Sequence, residues 1–193
     1  LCKQLSAYVS CILDAQIGHT SWASVAALKQ WATRQCLSME VPASDINVIQ
    51  EKTQATLELV VHGQVCIQYS QRRYLLGHLN PGENNESLTQ IHHLAEDEDY
   101  PGRRFTFLDN PHGHFMFAYF DRSLLADIAL LKQCKLQGWV IDTRGQDETY
   151  TNACIQAYAH ALNGDDDAAD VWDGYKKTVL DHAPRPLKPG FFR

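Results

Sequence analysis

Three titratable side chains follow three consecutive predicted strands, which places groups able to exchange protons with a substrate at comparable positions. His19 follows the predicted strand 12–18, Glu40 follows the strand 36–39, and His62 follows a third. The carboxyl ends of neighbouring parallel strands meet at one edge of a barrel or open sheet, so we expect a shared pocket there. His19, Glu40 and His62 are therefore the candidate catalytic residues. The simpler interpretation is that strand ends are polar in any protein.

A second group of reactive and polar side chains lies in the segment 57–76. The apolar run 59–61 leads into His62-Gly63, where glycine frees the backbone to turn, and Cys66 follows shortly. The next polar cluster comprises Tyr69, Ser70, Gln71, Arg72 and Arg73. Alternatively, His62 only caps a strand and Cys66 is an inert buried thiol.

Other histidines and acidic residues lack the spacing of a metal site. His92 and His93 stand beside Glu96, but adjacent histidines point in different directions. His112 is predicted in a turn and His114 in the strand after it, which does not favour a zinc pair. The acidic run 165–167 lacks calcium-loop spacing and is interpreted as a helix N-terminus.

The first part of the chain, 1–76, alternates predicted strands and helices. Predicted helices begin at Ser21 and near Pro42, between the three strands. Short connections between such elements are typical of right-handed β-α-β crossovers. The expected fold class is α/β, with a partial (β/α) barrel in this segment.

The rest of the chain divides into a polar loop, 77–103, and an extension, 104–193. The extension is predicted to contain a hairpin over 105–120, a helix capped by Asp121 or Ser123, a strand over 138–141 and two further helices. We expect the extension to pack on the barrel and the tail from Pro184 to form an extended strap.

Composition excludes several classes of protein. Apolar residues make up 45% and charged residues 21% of the 193 residues, as in a soluble globular protein. The six cysteines include no C-x-x-C pair, which argues against a zinc ribbon and a disulfide framework and favours a cytoplasmic protein with reduced thiols. The net charge of −6 gives no general attraction to nucleic acid.

Several motifs along the chain resemble those of the collagenase-like peptidase family U-32. They are Val61-His62-Gly63 with Cys66 and Ser70; Met39-Glu40-Val41-Pro42-Ala43; Asn110-Pro111-His112-Gly113; Asp121-Arg122-Ser123; Val140-Ile141-Asp142-Thr143-Arg144; Tyr150 with Tyr158; and a Gly190-Phe191-Phe192 tail. The resemblance implies the C-terminal half of a TIM-like (β/α) barrel followed by a β-hairpin and helix extension. The family's barrel begins with strands that are missing here, so we expect a chain truncated at its N-terminus.

The resemblance also implies what this chain lacks. Family members similar to prephenate-dependent tRNA uridine hydroxylases hold an iron–sulfur cluster on four thiolates. Here Cys66 is a possible residual ligand position, but Arg73 and Ser123 stand where two other cysteines would be. Arginine cannot ligate iron, so we expect no cluster, no metal and no other cofactor.

Three hypotheses from different classes remain open. The first is a cluster-free accessory subunit that docks a cluster-bearing homologous subunit in tRNA wobble-uridine 5-hydroxylation, with tRNA contacted through that complex and no membrane partner. The second is a collagenase-like peptidase, a hydrolase, and the third is a small-molecule binding barrel. Candidate substrate-binding residues are Tyr69, Ser70, Arg73 and Arg144. Copurification with a homologue would favour the first hypothesis, and hydrolysis that His62→Ala or Cys66→Ala abolishes would favour the second.

Two arginine pairs bracket the polar loop. Arg72-Arg73 precede it and Arg103-Arg104 end it, and together they could hold RNA phosphates. Alternatively, the acidic run 96–99 neutralises them. The sequence leaves both possibilities open.

Overall fold

The computed structural model describes residues 2–79, 91–163 and 169–193. The strands are β1 (Ile12–Leu13), β2 (Arg34–Leu37), β3 (Leu57–Ser70), β4 (Ile91–Glu96), β5 (Arg104–Asn110), β6 (Gly113–Ser123), β7 (Gly138–Asp142) and β8 (Leu187–Lys188). The helices are α1 (Cys2–Leu5), α2 (Trp22–Leu28), α3 (Ala43–Thr53), α4 (Tyr74–Leu79), α5 (Ile128–Gln133), α6 (Glu148–Asn163) and α7 (Ala169–His182), with 3-10 turns at Ala15–Ile17 and Leu125–Asp127. Two compact units divide the chain: unit 1 contains Leu1–Gly63 and Arg122–Arg193, and unit 2 contains Gln64–Asp121.

Unit 1 is built on parallel strands in the order β1-β2-β3-β7. The apolar N-terminal part of β3 is buried, as expected for a strand covered on both faces. Its core side chains pack with those of α3, α5 and α6, including Leu57, Leu59, Ile46, Leu131 and Ala157. The fold is therefore mixed α/β, as predicted. Half of a TIM barrel is not confirmed, because the sheet is not closed.

Unit 2 is an antiparallel sheet with one short helix. The C-terminal part of β3 lies beside β6, and β6, β5 and β4 follow in that order. The predicted hairpin is confirmed as β5 and β6. The backbone N–H of Leu76 in α4 donates to the Asp109 carboxylate of β5 at 3.1 Å, which ties the helix to the sheet.

Several predicted boundaries differ from the structure. The strand expected over 12–18 ends at Leu13, because the Asp14 carboxylate accepts the N–H of Gln16 and starts a 3-10 turn. The strand expected to end at His62 continues to Ser70. Asp121 and Ser123 lie in β6 and cap no helix; α5 begins after Asp127.

The segment expected to be a polar loop is partly ordered into elements. The end of α4 and the whole of β4 fall within 77–103, and residues 80–90 lie outside the described residues. The acidic run 165–167 also lies outside them. The C-terminal tail is packed, since Phe192 is buried and its carbonyl accepts the Ala43 N–H at 3.0 Å. Within the described part of the chain, no helix has the length and apolar character needed to cross a membrane.

Candidate functional site

His62 lies in a buried hydrogen-bond network between β3 and α6. Its Nε2 lies 2.7 Å from the Tyr150 hydroxyl and 3.3 Å from the Cys154 thiol. Its Nδ1 lies 3.4 Å from the Tyr158 hydroxyl. The residue is 0% exposed. Tyr150, Cys154 and Tyr158 are spaced four residues apart, so they share one face of α6 and converge on one imidazole.

The direction of these hydrogen bonds follows from the Tyr158 hydroxyl. It donates its one proton to the Val61 carbonyl at 2.8 Å and accepts the Leu124 N–H at 3.0 Å. Toward His62 it can therefore act only as an acceptor, which assigns the ring proton to Nδ1. Nε2 is then the acceptor for Tyr150.

Burial keeps His62 neutral. Loss of hydration lowers its pKa to about 4 and raises the pKa of Tyr158. A neutral imidazole and a protonated Tyr158 phenol carry no charge at pH 7. The network can therefore hold β3 against α6 through hydrogen bonds, but it presents no cation to a ligand.

A register shift in β3 turns His62 toward α6. Val60 pairs with Val140 of β7, but His62 pairs with Ile141, so Val61 is an additional residue in β3. Paired residues in parallel strands point to the same face, and this shift places His62 on the face of Leu59 and Trp139. If Val61 instead paired with Ile141 in regular alternation, the imidazole would point to the opposite face.

Gly63 follows because the two strands approach closely at this point. It has φ +143°, and an added Cβ would lie 2.5 Å from the Asp142 carbonyl oxygen of β7. Only glycine fits such a contact without displacing backbone. The Val61-His62-Gly63 motif thus combines a bulge, a buried imidazole and a close backbone contact.

His19 follows β1 only after the 3-10 turn at Ala15–Ile17, and Glu40 follows β2 after Ser38 and Met39, so neither residue directly ends a strand as predicted. His19 is buried, and its carbonyl accepts the Ser38 N–H at 3.0 Å. Glu40 is exposed, and its N–H donates to the Ser38 hydroxyl at 3.3 Å. No hydrogen bond among the described residues joins either side chain to His62. The catalytic assignment of all three stays a prediction.

The predicted substrate-binding residues fall in both units. In unit 2, the Tyr69 hydroxyl donates to the His112 carbonyl at 2.9 Å, and the Ser70 hydroxyl accepts the Arg72 N–H. Arg73 is half-buried. In unit 1, Arg144 is exposed and forms a bidentate ion pair with Asp142 at 2.8 and 2.6 Å. Their role as substrate ligands stays a prediction.

The cysteines are all free thiols. Cys66 is half-buried, donates to the Gln68 carbonyl at 3.4 Å, and has a pKa raised by burial. Across residues 2–79, 91–163 and 169–193, no three His, Cys, Asp or Glu side chains come close enough to hold a metal ion.

Comparison with known proteins places the chain in a family. A model of Peptidase family U32 matches residues 1–193. The chain belongs to Peptidase family U32. No solved structure matches it.

Two curated proteins are similar to part of this family member. One is tRNA hydroxylation protein P of Haemophilus influenzae, 36% identical over 76 residues, which cover 38% of this chain and 16% of the relative. The other is tRNA hydroxylation protein P1 of Bacillus subtilis, 29% identical over 85 residues, which cover 44% of this chain and 20% of the relative. The matches thus span a fifth or less of each relative.

Sequence reasoning missed the partners of His62 and the burial of Arg122. Tyr150 and Tyr158 were noted only as family features, although their eight-residue spacing around Cys154 is a readable signal. Arg122 was noted only beside Ser123, yet it is fully buried in unit 1. No sequence signal distinguishes a buried arginine from a solvated one at the end of a strand.

Proposed function

We propose that this chain takes part in tRNA modification, as part of a protein that supports 5-hydroxylation of wobble uridine. The observation that carries the proposal is the match to Peptidase family U32 over the whole chain, together with two relatives named as tRNA hydroxylation proteins. The composition and the mixed α/β fold are compatible with this role but do not select it.

Within that function we propose an accessory role without an iron–sulfur cluster. Four thiolates are the usual ligands of such a cluster. Arg73 and Ser123 occupy two positions where the family resemblance calls for cysteine, and the described residues offer no group of three metal ligands. The catalytic metal would then belong to a homologous subunit.

Unit 2 offers a surface suited to RNA. The Arg103 guanidinium lies 3.9 Å from the centre of the Tyr100 ring and 5.1 Å from that of Tyr119. Arginine and aromatic faces held in this way can stack on unpaired bases. Arg104 forms an ion pair with Glu96 at 3.4 Å, so the acidic run neutralises one member of this pair.

A cysteine–histidine contact supports the peptidase hypothesis, but a substrate has no access to it. The Cys154 thiol and the His62 ring are 3.3 Å apart, as in a nucleophile and base. Both residues are fully buried, so a peptide bond cannot reach the thiol in this conformation. We therefore favour the tRNA role.

Disrupting the reading frame in the source organism tests the proposal. We expect loss of 5-hydroxylated wobble uridine in tRNA digests analysed by mass spectrometry, and recovery on complementation. A tagged native protein should copurify with a cluster-bearing homologue. An unchanged nucleoside profile after disruption would contradict the tRNA role. Modification that this protein supports in cells lacking the cluster-bearing homologue would contradict the accessory role.

A charge-removing variant tests the RNA surface. Replacing Arg72, Arg73, Arg103 and Arg104 with glutamine in the native complex should weaken tRNA binding most at low salt, and should reduce the slope of log K against log salt by about one per lost phosphate contact. The matched control removes four charges from unit 1 by replacing Lys52, Lys132, Lys177 and Lys188 with glutamine. If the two variants weaken tRNA binding equally, the four arginines do not contact the RNA and the partner does.

A further inference from the structure

Arg122 is a buried cation that forms no ion pair with the described residues. It is 1% exposed, and its Nη1 donates to the Met39 carbonyl at 2.9 Å. Its Nε and Nη2 atoms are also buried and have no hydrogen-bond partner among the described residues. Burial of a guanidinium in this state is strongly unfavourable unless an anion or further acceptors compensate it.

Within the described part of the chain, the titratable groups that act on Arg122 do not supply a negative charge. Its electrostatic neighbours are the Tyr158 phenol and the Cys36 thiol. Burial raises the pKa of Cys36 to about 12 and also raises that of Tyr158, so both are neutral at pH 7. The Phe192 ring lies 5.8 Å from the guanidinium and forms an apolar wall. Arg122 itself stays protonated, because burial lowers its pKa only to about 10.

His19 borders the same segment and has an unpartnered ring nitrogen. Its carbonyl accepts the Ser38 N–H, while Arg122 binds the carbonyl of the next residue, Met39. His19 is 1% exposed, and its Nε2 has no partner among the described residues. The buried residue His19 and the Arg122 guanidinium thus contact Ser38 and Met39, just after β2, at the carboxyl edge of the parallel strands. Open parallel sheets commonly bind ligands at this edge.

We propose that Arg122 and His19 form a binding site for a small oxyanion, a carboxylate or a phosphate, at the carboxyl edge of β1 and β2. The Nε–H and one Nη2–H of a guanidinium point in the same direction and match two oxygens of such an anion. These are the two nitrogens of Arg122 that have no hydrogen-bond partner among residues 2–79, 91–163 and 169–193. The buried position selects a small ligand over an RNA backbone, and the site does not depend on the proposed tRNA role.

Anion titration of the full chain tests the site. Sodium phosphate and sodium acetate, added separately to protein in chloride buffer at constant ionic strength, should raise the melting temperature saturably for at least one of the two anions. The anion whose effect on the melting temperature saturates identifies the chemistry of the ligand. A response equal to that of added chloride for both anions would overturn the proposal.

Variants locate the bound anion. Arg122→Lys keeps the charge but loses the two parallel N–H donors of the guanidinium. It should raise the dissociation constant of the anion at least tenfold in isothermal titration calorimetry. His19→Asn should raise the dissociation constant several-fold. This second variant keeps the site testable if Arg122→Lys does not fold. Lys135→Gln, which removes an exposed cation already paired with Glu51, should bind as the wild type does. Unchanged affinity in both Arg122→Lys and His19→Asn would overturn the assignment.

Discussion

At the scale of single residues, His62 makes folding dependent on pH. Its pKa is about 4 in the folded chain and 6.5 for an ordinary histidine, because burial disfavours the imidazolium. On acidification the unfolded chain therefore takes up a proton first. The stability due to neutral His62 is complete above about pH 6.5 and is lost as the pH falls toward 4, by ~3 kcal/mol in full.

We expect urea unfolding to show this loss between pH 7.5 and pH 4.5. His62→Gln should unfold more easily at pH 7.5, since it disrupts the network with Tyr150, and should lose less stability on acidification. His19→Asn measures the separate contribution of the second buried histidine, because burial also lowers the pKa of His19. Parallel pH profiles for the wild type and His62→Gln would contradict the assignment.

Residue types along the chain predicted part of this site. The sequence predicts His62 as a site residue because it follows an apolar run and precedes Gly63, at the expected carboxyl end of a strand. Its engagement by α6 could not be predicted, because the alternation of side chains along β3 changes at Val61 and no residue type marks the change. Arg122 was missed because its burial depends on Met39 and Phe192, both distant in sequence.

At the scale of elements, the contact between β3 and β7 depends on Gly63. Gly63→Ala would place a methyl group 2.5 Å from the Asp142 carbonyl oxygen, at a backbone angle that alanine rarely adopts. We expect a loss of more than about 1 kcal/mol in the free energy of unfolding. Gly174→Ala in α7 is the control, because a Cβ there meets open space and should be neutral or stabilising. Similar losses in the two variants would show that the strand contact is not the cause.

Boundaries were predictable where a local stop signal exists. The prediction placed α3 correctly, since Pro42 precedes it and fixes its start. It extended β1 too far, because Asp14 turns the chain through a side-chain hydrogen bond that the apolar pattern does not report. It ended β3 too early, because Gly63 was taken as a turn although it lies within a strand.

At the scale of the whole molecule, the metal content of the purified chain tests the proposed absence of an iron–sulfur cluster. After anaerobic reconstitution with iron and sulfide we expect negligible bound iron and no visible cluster absorbance, because Cys66 has no partners among the described residues for a ligand set. Cys66→Ser should give the same result. About four iron atoms per chain in the wild type, lost in Cys66→Ser, would contradict the accessory role.

Association of the isolated chain is expected through β1. This strand pairs with β2 on one side, and Ile12 is 50% exposed. An uncovered edge strand offers unpaired backbone groups to another chain. We expect dimers or aggregates in light scattering after size exclusion, reduced by Ile12→Lys but not by Ile155→Lys, which changes a half-exposed side chain of α6. A monodisperse wild-type monomer would contradict the prediction.

The extra residue in β3 changes which positions of the strand face the core. Before Val61, odd-numbered positions face the core that contains α6; at His62 an even-numbered position does. Deleting Val61 would remove the bulge, and His62 would keep its pairing with Ile141 and its present face. In a lineage that diverges, a one-residue deletion at Val61 can therefore occur without moving the histidine to the other side of the sheet. Alignments of such proteins should accept a one-residue gap at this position, although it lies inside a strand.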